Sequence, residues 1–220
     1  MKDSEQTSQG VTLVLASGSP RRRELIKALD MPVELSRPDG DEGSPRSGET
    51  PEEYVLRLSL DKAKQILDRY ADSVIIGADT VVVLNEEVLG KPVDDAEATA
   101  ILQRLRGVAH TVLTGVTVFD GRTGRWTSTV KSTNVLMRRY TDIEIAAYVK
   151  TGGPLDKAGG YAIQDDGFRP TRSIQGCYLN VVGFPLCEVI RLLDELCVHA
   201  TLKSDWQPPE QCRDCALRKT

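Results

Sequence analysis

The stretch VTLVLASGSPRRREL, Val11 to Leu25, constrains the fold more than any other part of this chain. Val11 to Ala16 (VTLVLA) reads as a short buried strand, because the run is apolar, partly β-branched and bounded by turn residues. Ser17-Gly18 then turns the chain. Ser19 suits a helix N-cap and Pro20 the first helical position, where its missing N–H costs nothing. Leu25, Ile26 and Leu29 supply the apolar stripe of the helix that follows. A buried strand feeding straight into a helix belongs to layered α/β architecture.

The rest of the chain agrees. Arg37 to Gly48 (RPDGDEGSPRSG) is a polar, Gly- and Pro-rich loop. Thr50 and Glu53 form a capping box that opens a helix, whose Leu56, Leu60, Ala63 and Leu67 keep period to about Tyr70. Val74 to Ala78 is a second buried strand, extended past Asp79-Thr80 by Val81 to Leu84. Asp94 to Arg106 is a helix with Ala98, Ile101, Leu102 and Leu105 on one face. Thr111 to Phe119 and Trp126 to Leu136 alternate as strands around the hairpin signal Asp120-Gly121. Thr141 and Glu144 cap another helix, reaching about Lys150. Gly152 to Asp166 is irregular apart from Tyr161-Ala162-Ile163. A strand is expected near Tyr178 to Val182 and a final helix from Pro185 to about Cys197. The expectation is an α/β fold with a mixed twisted sheet, preceded by a polar segment (residues 1–10) and followed by a Cys-containing tail (198–220).

Charge excludes some functions. The 220 residues carry a net charge of -4, whereas a chain that coats nucleic acid is usually basic. The arginines after Ser19-Pro20 are therefore a local feature on an acidic background. No apolar run approaches the roughly 20 residues that span a bilayer, and MKDSEQTSQG lacks the apolar segment of a signal peptide. The expectation is a cytoplasmic protein without nucleic-acid or membrane partners. Three of the five cysteines fall in the last 24 residues, which does not suggest a disulfide framework.

Six groups of residues can carry chemistry. Ser17, Ser19, Arg21 and Arg22 put a helix N-terminus beside guanidinium groups, a combination that binds phosphates, although a capped helix with solvated arginines fits the same string. Asp79, at the end of VIIGAD, can hold a divalent cation or take a proton from water; it can equally cap a turn. Asp41 and Glu42, with Asp39, have an acid spacing that could complete a magnesium site, although such a string is more often a solvated acidic loop. Lys62 and Lys91 are cations of which Lys91, in LGKP, has the tighter context. Gln164 ends the string PLDKAGGYAIQ and carries both a donor and an acceptor, as reading a base edge requires. Arg21 is the arginine expected to face a ligand, with Arg22 in support and Arg23 in solvent. Finally Cys197, His199, Cys212 and Cys215 have zinc-like spacing in the tail.

Taken together, LASGSPRRREL, PDGDE, VIIGADTVVVLNEEVLGKP, HTVLTGV, PLDKAGGYAIQ and NVVGFPL resemble, in order and spacing, the Maf family of nucleoside triphosphate pyrophosphatases. The similarity runs from about Val11 to Leu193. It implies an inosine triphosphatase-like α/β fold, with two lobes around a deep cleft. It also implies Mg²⁺- or Mn²⁺-dependent hydrolysis between the α and β phosphates, with room for a homodimer. In this resemblance Asp79 matches the general base, and Glu42 with Asp41 the acidic loop associated with the metal. Arg21, Lys62 and Lys91 match cations around the triphosphate. Ser17 and the amides near Ser19 match the phosphate-cradling turn, and Arg21, Thr80 and Gln164 match positions that distinguish subfamilies. The string AGGYAIQ resembles the branch acting on dTTP and UTP. Alternatives are a branch acting on 7-methyl-GTP or another modified nucleotide, and a regulatory binding role in cell division. Asp165-Asp166 follows Gln164 where the family usually has Gly, and Gly153 stands where an acid is common.

Overall fold

The computed structural model describes residues 11–40 and 43–212. Seven strands form one mixed sheet. β1 (Leu13–Ala16) leads into α1 (Pro20–Ile26) and then β2 (Val33–Ser36). After α2 (Pro51–Lys64) come β3 (Val74–Leu84), β4 (Glu87–Leu89) and α3 (Asp95–Leu105). The hairpin β5 (Ala109–Asp120) and β6 (Arg125–Met137) is followed by α4 (Asp142–Val149), β7 (Thr171–Gln175), α5 (Tyr178–Val182) and α6 (Leu186–Glu195). The strand order is β2-β1-β3-β5-β6-β7, with β4 paired to β3. β1 runs parallel to both β2 and β3, while β3, β5, β6 and β7 are antiparallel in succession.

Local chemistry explains the elements. Both expected capping boxes are present: Thr50 accepts from the Glu53 amide and Thr141 from the Glu144 amide, and each glutamate reaches back. At α1 the expectation holds only for position. Ser19 is the N-cap but makes no side-chain cap bond; the Ser17 hydroxyl instead accepts from the Ser19 amide at 3.1 Å. β3 and β4 join through Asn85 and Glu86, both at positive φ, as a two-residue hairpin requires.

One expectation is corrected, and one strand is added. Tyr178 to Val182 is helix α5, not a strand. Its aromatic and β-branched residues read as strand, yet the segment is closed by Gly183 in the left-handed region, with φ 106. Asn180 is fully buried and donates to the Val112 carbonyl and the Thr133 hydroxyl, tying the helix to the sheet. The strand that pairs with β6 is the polar TRSIQ of β7, whose composition conceals it.

One apolar cluster lies between β1, β3 and β5 and helices α5 and α6, with Leu15, Ile76, Val118, Phe184 and Leu192 inside it. A second gathers α3, α4, the far end of β3 and the segment around Tyr161. Residues 198–212 join the first cluster: Val198 and Cys212 are buried, and Leu202 bridges to Leu29. Among the described residues, no helix is long and apolar enough to cross a membrane.

Candidate active site

The sheet opens a gap beside β3. β1 pairs with β3 only as far as Ala16↔Gly77, and β4 takes up the same edge only at Leu89↔Val82. From Ala78 to Val81 that edge has no strand neighbour, and here a cleft of about 590 Å³ opens. Ligands gather at such points in α/β sheets, where neighbouring strands diverge.

The cleft brings together Ser17, Ser19, Arg21, Arg22, Lys62, Asp79, Thr80, Lys91 and Gln164. These expected substrate and catalytic residues line one cavity, whereas Asp39, Cys197, His199 and Cys212 do not line it. Asp41 and Glu42 lie outside the described residues. The cleft wall also carries Arg37, Asp156 and Lys157, outside the set of residues expected from the sequence. Arg37 could have been found by its place at the edge of the acidic loop; Asp156 and Lys157 stood inside the PLDKAGG string itself. In an acidic protein this is a cationic cavity, lined by Arg21, Arg22, Arg37, Lys62, Lys91 and Lys157 against the carboxylates of Asp79 and Asp156.

Asp79 is the central carboxylate. It is 6% exposed and paired with the Lys62 ammonium. This pair exists because α2 lies unusually close to the sheet. A Cβ on Gly77 would overlap the Ser59 carbonyl oxygen, and one on Gly115 the Val55 carbonyl oxygen. Gly115 is the register partner of Asp79, so the two glycines bring the helix that carries Lys62 down onto the strand that carries Asp79.

The three arginines divide by burial, and only Arg23 departs from the place expected of it. Arg22 is buried and serves the fold: Nε donates to the Gly183 carbonyl at 2.8 Å, Nη1 to the Ala78 carbonyl at 2.6 Å, and Nη2 to Thr80 Oγ1 at 2.9 Å. It thus fills the unpaired edge of β3 and ties α1 to the end of α5. Thr80 passes the link to Thr114, which donates to the Asn180 carbonyl. Arg21 keeps its head in the cleft, 3.9 Å from Asp156. Burial works against ionising Asp156, yet the ammonium of Lys157 and the guanidinium of Arg21 hold its carboxyl below the usual range. Arg23 is half-buried rather than solvated, and its Nε donates to the Ser17 carbonyl at 3.3 Å.

Gln164 is exposed on the cleft rim. Asp165, which departs from the family pattern, accepts from the Phe168 amide at 2.7 Å and so holds the turn after Gln164.

The described residues contain no group of three or more His, Cys, Asp or Glu side chains able to hold a metal. Asp79 alone is not a cation site, and its expected partners Asp41 and Glu42 are not described. The expectation of zinc in the tail gains no support. Cys197 is exposed, His199 bonds Asp194 at 2.7 Å, and Cys212 is 4% exposed within the apolar core. Cys215 lies outside the described residues.

A mixed sheet split beside a buried lysine–aspartate pair, under a cationic cleft, has the charge to attract a polyanion. The family model for Maf-like proteins matches residues 12–196, and the chain belongs to the Maf family. A dTTP/UTP pyrophosphatase of Dehalococcoides mccartyi is 38% identical over 94% of this chain and 92% of its own length. One of Geotalea uraniireducens is 46% identical over 82% of this chain and 93% of its own. A solved nucleoside-triphosphatase / dITP/XTP pyrophosphatase from Mycobacterium abscessus overlaps 59% of this chain and 76% of that one, with TM-score 0.40 and 14% identity.

Proposed function

We propose that this protein hydrolyses a nucleoside triphosphate, dTTP or UTP, to the monophosphate and pyrophosphate, in the cytoplasm. The observation that carries the reading is the Lys62–Asp79 pair on the wall of a cationic cleft. A triphosphate offers that cavity the dense negative charge its cations need. The names borne by its relatives, dTTP/UTP pyrophosphatase, support the substrate.

In this reading Ser17, the amides near Ser19, Arg21, Lys62 and Lys91 bind and neutralise the phosphate chain. Arg22 and Thr80 hold the strand edge against which it lies. Asp79 takes the proton of a water that attacks phosphorus in the α–β anhydride. The water oxygen bonds the α-phosphorus, the bond from that phosphorus to the bridging oxygen breaks, and pyrophosphate leaves with the bridging oxygen and the electron pair. Lys62 keeps the carboxylate oriented between turnovers. Asp79 with Asp41 and Glu42 would hold Mg²⁺ or Mn²⁺, which would neutralise phosphate charge. Gln164 meets the O4 and N3–H edge of uracil or thymine.

The test is pyrophosphate release from UTP, dTTP, CTP, GTP and 7-methyl-GTP with Mg²⁺, and again with a chelator. Release from UTP and dTTP first, lost with the chelator, is expected. Preference for 7-methyl-GTP overturns the substrate; no release from any of them overturns the reaction.

A further inference from the structure

Gln164 reaches the cleft from an irregular stretch that runs from Tyr161 to Pro170 without a strand partner. Backbone bonds from the Asp165 amide to the Ala162 carbonyl and from the Arg169 amide to the Asp165 carbonyl shape its turns, and side chains anchor it to the fold at both ends. At one end Asp165 holds the turn to Phe168. At the other, the chain emerges from Gly159 and Gly160, both at positive φ, and becomes extended at Tyr161. A stretch that begins on two such glycines needs an anchor immediately after them.

Tyr161 is that anchor. Its ring is 6% exposed, packed in the cluster of Val82, Ile101 and Phe168, and it also borders the cleft. Its hydroxyl points into the interior and meets Nε2 of His110 at 2.7 Å, the two rings edge to face. His110 stands near the start of β5, opposite Val135, where an apolar side chain would bury more easily. It is 4% exposed, and its Nδ1 has no hydrogen-bond partner among the described residues. The imidazole thus makes one side-chain hydrogen bond, and that bond is to Tyr161. It does not line the cleft.

Resting on the nucleotide reading above, we propose that His110 is a positioning residue for base selection: through Tyr161 it sets where Gln164 meets the base. The phosphate-binding side chains come from other elements, so the effect falls on choice among nucleotides and not on the cleavage step. The test compares wild type with Tyr161→Phe, His110→Leu, the double variant and His110→Gln, whose amide can reach the same hydroxyl. For each, kcat and KM are measured with UTP and CTP, alongside thermal stability. Tyr161→Phe and His110→Leu are each expected to lower the UTP:CTP ratio of kcat/KM about tenfold, through KM for UTP more than through kcat. The double variant should be no worse than either single one, and His110→Gln should recover most of the ratio. Equal losses on both nucleotides, or a change confined to stability, overturn the proposal, as does a wild type without preference for UTP. A wild type that releases no pyrophosphate from any triphosphate fails earlier and takes the functional reading down with it.

Discussion

At the scale of single residues, the cleft contrasts a carboxylate held by one cation with an arginine held by backbone. Asp79 meets Lys62 on the cleft wall, and both side chains retain some exposure, 8% and 12%. They are accessible to a ligand without being solvated, the condition under which fixed charges act most strongly. Asp79→Asn keeps the shape and removes the proton acceptor. It is expected to lower kcat with UTP by at least about 100-fold, the usual contribution of a general base, while circular dichroism and the melting temperature show a folded protein. Near-wild-type turnover in that variant would remove Asp79 from the role. The arginines show what residue types leave undecided. Arg21 and Arg22 are adjacent and identical in chemistry, and the sequence offers no means of telling a ligand-facing guanidinium from one that bonds Ala78 and Gly183. Those partners lie 56 and 161 residues away, beyond any local pattern.

At the scale of elements, local signals were legible and long-range ones were not. The capping boxes at Thr50 and Thr141, the hairpin at Asp120-Gly121 and the strand-to-helix turn at Ser17 all depend on neighbours within four residues, and all could be read directly. Tyr178 to Val182 misled because its helix is set by contacts of Asn180 with β5 and β6. Asp79 and the cations were legible as residue types; the gap in the sheet that gathers them depends on where β1 ends and β4 begins. The seam between α2 and the sheet was equally hidden, since Gly77 and Gly115 look like ordinary strand glycines. Their role makes a sharp prediction. Gly77→Ala and Gly115→Ala should each cost about 3 kcal/mol, the upper part of the usual overpacking range, because backbone carbonyls of α2 must move aside. Gly90→Ala, with open space around its Cα, should leave stability nearly unchanged. Urea titration of the three variants checks this; a tolerant Gly77 would mean that α2 does not sit as closely as described.

At the scale of the whole molecule, two buried or paired groups make stability depend on pH in two separate windows. Burial pushes His110 down to about 4 from an ordinary value of 6.5. Between those values the unfolded chain takes up a proton that the folded chain refuses, so stability is present above pH 6.5 and is lost as the pH falls toward 4. A shift of that size corresponds to roughly 3 kcal/mol, a large share of the 5–15 kcal/mol typical of a domain. Glu49 acts lower. Its hydrogen bonds and ion pair with Arg57 bring it down to about 2 from 4.5 against the opposing effect of burial. Its contribution is therefore intact above pH 4.5 and fades only below that. The two windows barely overlap, which makes them separable by experiment. Urea unfolding from pH 7.5 to 3 should show stability falling first between 6.5 and 4, then more steeply as the carboxylates protonate. His110→Gln cannot take up that proton, so its curve should be flat over the upper window while the lower one remains. If wild type and His110→Gln fall in parallel from pH 6.5, the imidazole is not the group responsible, and the Tyr161 hydroxyl is meeting a histidine that titrates in the ordinary range.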